Sequence, residues 1–110
     1  MGSMMTLKVA DEFTKAPGAR LRVHGTHSGQ EFREDFLEPA YKQAELAGVD
    51  LLVDLDGCFG YTKSFLEEAF GGLARAYGAD KVLARLRLKC DDELGLIDDV
   101  RRYISNTRCG

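Results

Sequence analysis

Eleven consecutive residues hold most of the side chains that could do chemistry: Asp54-Leu55-Asp56-Gly57-Cys58-Phe59-Gly60-Tyr61-Thr62-Lys63-Ser64. Ser64 opens an amphipathic pattern that reads as a helix. A phosphate on its hydroxyl would meet unsatisfied N–H groups and a favourable dipole, and Lys63 beside it adds charge. Ser64 also has capping-box spacing with Glu67, so a second reading makes it the helix cap. If Thr62 is the cap instead, Ser64 lies in the first turn with its hydroxyl free. Asp54 and Asp56 end a strand and start a turn, where such side chains bond nearby N–H groups. Cys58 reads as a small packing residue, since both histidines are distant in the chain. His24 and His27 lack a third ligand at useful spacing and read as surface polar residues, so no metal site is expected.

The elements that must position this segment flank it directly. Val49, Leu51, Leu52, Val53 and Leu55 form an apolar run bounded by Gly48 and Gly57, which predicts a strand covered on both faces. Phe65, Leu66, Ala69, Phe70, Leu73, Ala74 and Tyr77 then recur on one helical face, with Ser64, Glu68, Gly71, Gly72 and Arg75 near the other side. Gly71-Gly72 inside a helix costs roughly 1 kcal/mol per residue against Ala, which makes sense if another backbone or a partner comes close there. Gly78 stops the helix. In an α/β sheet this strand–turn–helix unit puts the turn at the C-terminal edge of the strand, where sites tend to lie.

A chain of 110 residues is long enough for one domain with one core. Met1-Gly2-Ser3 ahead of Met4 reads as an expression remnant, leaving Met4–Gly110 as the domain. A net charge of -3 argues against binding nucleic acid by bulk electrostatics. No apolar run approaches the ~20 residues that span a bilayer, and Met1–Asp11 lacks the apolar core of a secretory signal. Cys58, Cys90 and Cys109 are odd in number and have no C-x-x-C spacing. A disulfide framework is therefore not expected, and a reducing cytoplasm is.

In chain order, Thr6–Ala10 alternates around Leu7 and Val9 as a first strand, and Phe13 anchors the loop after it. Pro17-Gly18 marks a turn. Arg20–His24 alternates again, with Leu21 and Val23 inward, and is predicted to pair antiparallel with the first strand. Ser28 and Glu31 fit a capping box. Phe32, Phe36, Leu37, Ala40, Tyr41, Ala44 and Ala47 mark a helical face that Gly48 ends; Pro39 either kinks one helix, the preferred reading, or lies in the first turn of a new one after a short turn. Lys81–Cys90 reads as a strand with Leu86, Leu88 and Cys90 on a dry face and Arg85, Arg87 and Lys89 on a solvated one. Asp91-Asp92 is a candidate N-cap for a last helix with the stripe Leu94, Ile97, Val100 and Ile104. Arg101 and Arg102 suit its C-terminal half, and Asn106–Gly110 reads as a frayed tail. Strands alternating with helices predict an α/β domain with a mixed, mostly parallel four-stranded sheet and crossover helices.

This order, with the turn unit in its middle, resembles the STAS domain, the fold of anti-sigma-factor antagonists. In that family an Asp-Leu-Ser-Gly-like strand end leads to Asp-Ser-Ser-Gly at a helix start. Here the strand ends Asp54-Leu55-Asp56-Gly57, and Thr62-Lys63-Ser64-Phe65 falls where the second motif would. The chain is similar above all to the STAS-like family of unknown function. The similarity runs from Ser28-Gly29-Gln30-Glu31-Phe32-Arg33-Glu34 through Ser64-Phe65-Leu66-Glu67-Glu68-Ala69-Phe70-Gly71-Gly72-Leu73.

In STAS antagonists the second serine of the motif is phosphorylated by a kinase of the histidine-kinase-like ATPase fold, which blocks a partner switch. That position maps to Ser64. Thr62 stands where the antagonists have Asp, Lys63 where they have the first Ser, and Phe65 where they have Gly. The resemblance implies a non-catalytic regulatory interaction module of a bacterial or archaeal cytoplasm, needing no cofactor. Its partner surface would comprise Asp56, Gly57, Cys58, Phe59, Gly60, Tyr61, Thr62, Lys63, Glu67, Glu68 and Gly71. An alternative resemblance is to haloacid-dehalogenase-type phosphatases, through the apolar strand ending in Asp54-Leu55-Asp56-Gly57. It implies Asp54 as nucleophile, Asp56 as acid/base and magnesium on both, with Asp98-Asp99 as a later acidic pair. Cys58 stands where those enzymes have Thr or Val.

Overall fold

The computed structural model describes residues 4–106. Cys109 and the expected remnant Met1-Gly2-Ser3 lie outside the described residues, as does the expected tail beyond Asn106. Strands β1 (Met4–Lys8), β2 (Asp50–Asp54) and β3 (Leu86–Lys89) form one parallel sheet in the order β1-β2-β3. The sheet of the described residues is thus three-stranded and wholly parallel, where four strands and one antiparallel pair were expected.

The missing strand is the Arg20–His24 segment. It forms a 3₁₀ turn, Arg22–His24, and Val23 is 82% exposed. Its backbone has other partners: the Ala19 and Arg20 carbonyls accept from Gly29 and Gln30 N–H at 2.9 Å each. These are orphan amides at a helix start, which need an acceptor from outside the helix.

The described residues form seven α-helical segments: α1 (Val9–Glu12), α2 (Gly29–Phe32), α3 (Glu38–Ala47), α4 (Lys63–Leu66), α5 (Gly72–Tyr77), α6 (Ala79–Arg85) and α7 (Leu96–Asn106). The π-helical stretch Arg33–Leu37 joins α2 to α3, and Glu67–Gly71 joins α4 to α5, with helical backbone at each junction. Residues 29–47 and 63–77 are therefore two continuous helices. Pro39 falls in the first turn of α3. It lacks the N–H that would bond the preceding turn, and the π stretch Arg33–Leu37 leads into it. Ser28 caps α2, accepting from Glu31 N–H at 3.0 Å, while Glu31 Oε1 accepts from His27 N–H at 3.2 Å. Gly48 ends α3 in the left-handed conformation, φ 70°.

Residues 79–85 are helical, so β3 is shorter than the predicted Lys81–Cys90 strand. The first strand is displaced likewise, because Val9 and Ala10 already belong to α1. Asp91 and Asp92 precede α7 by several residues and do not cap it, and Leu94 is 96% exposed instead of lying in the α7 stripe. Gly95, at φ 87°, redirects the chain between Leu94 and the helix.

The helices cover one face of the sheet. Leu7, Leu51, Val53 and Leu86 are buried, while Met4, Thr6, Lys8, Arg87 and Lys89 on the opposite face are exposed and Leu52 is half-buried. The expected coverage of β2 on both faces is not met. Both crossovers step in one direction across the sheet, and right-handed crossovers of that kind stack their helices on one side. On that side Phe13, Phe32, Phe36 and Phe65 form an aromatic cluster, with Phe32–Phe65 centroids 5.8 Å apart and Phe13–Phe36 centroids 5.1 Å apart. Phe65, Phe70, Leu73, Val100 and Ile104 complete the core between sheet, central helix and α7.

Candidate functional site

Beyond β2, the Leu55 N–H donates to the Lys89 carbonyl at 2.8 Å, which carries the β2–β3 pairing one step further. The chain then turns through residues 56–61 into α4. Asp56 holds this turn to the loop after β3. Its carboxylate accepts from the Asp91 N–H at 2.6 Å, the Asp92 N–H at 2.9 Å and the Lys89 ammonium at 2.7 Å. Asp92 reciprocates by accepting from the Gly57 N–H at 2.8 Å. The Lys89 bond, joined by the two amides, holds the Asp56 carboxyl below the usual carboxylate range, and Asp56 in turn raises Lys89. Asp54 Oδ1 accepts from the Asp56 N–H at 3.0 Å. Asp54 also shares the open sheet face with its register partners Lys8 and Lys89. Both aspartates thus bond nearby N–H groups, as their position at a strand end suggested.

Gly57 takes φ 91°, and a Cβ there would sit 3.1 Å from the Ala10 side chain, so both conformation and space favour glycine. Cys58 is half-buried, and its thiol donates to the Thr14 carbonyl at 3.3 Å. Burial pushes that thiol up, which keeps it protonated and suits packing, not nucleophilic attack. The Tyr61 hydroxyl donates to the Leu55 carbonyl at 2.9 Å and lies 3.1 Å from the Cys58 sulfur, and burial raises its pKa. Tyr61 thereby closes the turn from inside. Phe59, at its tip, is 85% exposed. A cavity of about 130 Å³ is lined by Cys58, Phe59, Tyr61, Cys90, Asp92 and Glu93 among others.

Thr62 is the helix cap. Its Oγ1 accepts from the Phe65 N–H at 3.0 Å, and its own hydroxyl donates to the Gly18 carbonyl at 3.3 Å. The capping-box reading of Ser64 is therefore replaced: Ser64 occupies the first turn and its hydroxyl has no hydrogen-bond partner among the described residues. Ser64 and Thr62 line an open groove of about 330 Å³ with Ala19, Arg20 and His24.

The candidate contact residues separate into two sets. Asp56 to Tyr61 form the turn, Thr62 caps α4 and Lys63 opens it, with Gly57, Phe59, Gly60, Thr62 and Lys63 exposed. Glu67 flanks the groove and receives Arg20 Nη2 at 2.7 Å. Glu68 and Gly71 face inward: the Glu68 side chain is 12% exposed and pairs with Arg33 at 3.1 Å, and Gly71 is buried. At Gly72 the close neighbour is the Arg33 side chain, not the backbone or partner expected: a Cβ there would lie 2.5 Å from Arg33 Nη1, whereas Gly71 has ordinary room. Sequence reasoning overlooked Arg20 and His24 as site residues, having placed them on the wet face of a strand. It overlooked Asp92 as the partner of Gly57 and Leu94 as an exposed residue. The aspartate pair at 91–92 was the available signal, since such residues cap turns as readily as helices.

Among the described residues no three His, Cys, Asp or Glu side chains converge as metal ligands. No described helix is long and apolar enough to cross a membrane. A family model described as a STAS-like domain of unknown function matches residues 28–94, which include the turn, the helix of residues 63–77, β3 and, of the groove, Thr62 and Ser64. The chain belongs to that STAS-like family. No curated protein and no solved structure matches it.

Proposed function

We propose that this protein is a regulatory protein-interaction module that works without catalysing a reaction, switched by phosphorylation of Ser64. The observation that carries this reading is the division of labour at the helix start. Thr62 holds the cap, and Ser64 offers an unbonded hydroxyl at the wall of an open groove beside a guanidinium. The implied partner is a kinase of the histidine-kinase-like ATPase fold, in a bacterial or archaeal cytoplasm. In the transfer Ser64 Oγ bonds to the γ-phosphorus of ATP, the bond from that phosphorus to the ADP oxygen breaks, and the hydroxyl proton leaves. Phe59 and Leu94, both almost fully exposed, supply the apolar contacts of the partner surface. The Asp54 and Asp56 carboxylates are engaged in holding the turn, which supports a binding role for that end of the sheet.

Peptide mass spectrometry of the protein isolated from its own cells, with whatever co-purifies, tests this reading. Phosphate on Ser64 beside a co-purifying ATPase supports it, and Ser64→Glu then weakens binding of that partner while circular dichroism is unchanged. An unmodified Ser64, or equal binding by Ser64→Glu and wild type, defeats the switch.

A further inference from the structure

We infer that Arg20 is a receiver within the same chain for a phosphate on Ser64, and that the phosphate draws its guanidinium away from Glu67. This rests on the reading of Ser64 as the phospho-acceptor and deepens it. Ser64, Glu67 and Glu68 stand at i, i+3 and i+4 of one continuous helix and so share a flank. Arg20 already lies across that flank, with Nη2 2.7 Å from Glu67 Oε1 and Nη1 3.9 Å from Glu68 Oε1. It also lines the groove that Ser64 and His24 line.

A phosphate would add about -1.5 to -2 charges to a helix flank that already carries two carboxylates. Arg20 is the guanidinium in that groove, and its planar fork can bind phosphate through two donors, whereas Glu67 receives one short contact. Glu68 keeps Arg33 at 3.1 Å, so the exchange releases only Glu67, whose side chain is 40% exposed and is hydrated on release. The Arg20 backbone stays fixed, because its carbonyl accepts from Gln30 N–H and the Ala19 carbonyl from Gly29 N–H. Only the side chain swings. The charged and titratable groups facing the phosphate are then Arg20 and His24 from the 19–24 segment, and Lys63, Glu67 and Glu68 from the helix.

The test installs phosphoserine at position 64 by genetic code expansion, so that no kinase is needed, and titrates it by phosphorus NMR at low salt. In the otherwise wild-type chain the second phosphate pKa falls about one pH unit below its ordinary value of about 6. In Arg20→Gln it rises above that value, because Glu67 and Glu68 act uncompensated, and Arg20→Lys restores part of the fall. Glu67→Gln lowers it further by removing the competitor, and reads the exchange even if Arg20→Gln does not fold. The same titration in wild type, Arg20→Gln and Glu67→Gln overturns the receiver. An unphosphorylated Ser64 in native protein overturns the switch instead, and is read by a separate measurement.

Discussion

Replacing Thr62 and Ser64 by alanine, one at a time, separates the two readings of the helix start. Thr62→Ala removes the Oγ1 that accepts from the Phe65 N–H at 3.0 Å and the hydroxyl that donates to the Gly18 carbonyl at 3.3 Å. Loss of the cap costs about 1 kcal/mol, within a range of roughly 0.5–2. The bond to Gly18 is long and exposed, and its loss adds about 0.5 kcal/mol, the low end for a neutral hydrogen bond. The sum of about 1.5 kcal/mol lowers the melting temperature by roughly 5–7 °C in a domain of this size. Ser64→Ala removes a hydroxyl with no partner, and alanine is the better helix former, so stability changes by less than about 0.5 kcal/mol. Urea denaturation followed by circular dichroism, with the slope checked for constancy, measures both. A Ser64→Ala loss as large as that of Thr62→Ala would return the cap to Ser64 and remove the ground for a free phospho-acceptor.

Further predictions concern the surrounding frame. Gly71→Ala is expected to stabilise by about 0.5–1 kcal/mol through helix propensity, because the nearest groups to its Cβ lie at 3.4 Å or beyond. Gly29→Ala places a Cβ 2.6 Å from the Phe65 carbonyl oxygen and is expected to destabilise by about 1–3 kcal/mol or more, and the same urea titration ranks the pair. The depressed Asp56 carboxyl contributes stability that is fully present above the ordinary carboxylate pKa of about 3.9 and is lost as pH falls through the lower folded value. Asp56→Asn should therefore lose stability at neutral pH and show a shallower decline below about pH 4, where denaturation titrations at several pH values would contradict it by tracking wild type. Phe59→Ala and Leu94→Ala remove side chains that are 85% and 96% exposed, so each is expected to leave stability within about 0.5 kcal/mol while weakening a co-purified partner. Calorimetric binding unchanged in both would move the partner surface elsewhere.

What could be read in advance divides by how strongly the chain repeats a period. The strand of residues 50–54 and the helix of residues 63–77 were legible because long apolar patterns, glycine stops and cap residues agree there. Of the predicted Lys81–Cys90 strand, residues 81–85 are helical instead, because two periods overlap. Ala79, Val82, Leu83 and Leu86 fit a helical face as well as Leu86, Leu88 and Cys90 fit a strand, and the chain changes from one to the other at Leu86. The 20–24 segment alternates like a strand, but its carbonyls serve the amides of residues 29 and 30. No local pattern announces a tertiary hydrogen bond of that kind. The groove was invisible for the same reason, since Arg20 and Ser64 are brought together only when the 19–24 segment docks against the start of the central helix.

That docking gives the groove a connection to the interior. Arg33, on the π stretch of the first long helix, pairs with Glu68 at 3.1 Å on the π stretch of the second, and also approaches Glu38 at 3.4 Å. Glycine at position 72 leaves the room that the Arg33 side chain occupies. Arg20 reaches the same Glu68 from outside at 3.9 Å. The charges therefore run from the groove wall through Glu67 and Glu68 to Arg33 at the crossing of the two helices. Of the two helix carboxylates, Glu67 is nearly half exposed and Glu68 is nearly enclosed, so only the outer pair can exchange partners at modest cost. A phosphate in the groove would thus rearrange the surface pair and leave the inner one standing. On the proposed reading, a phosphate at Ser64 would alter the charge a partner meets without loosening the core beneath it.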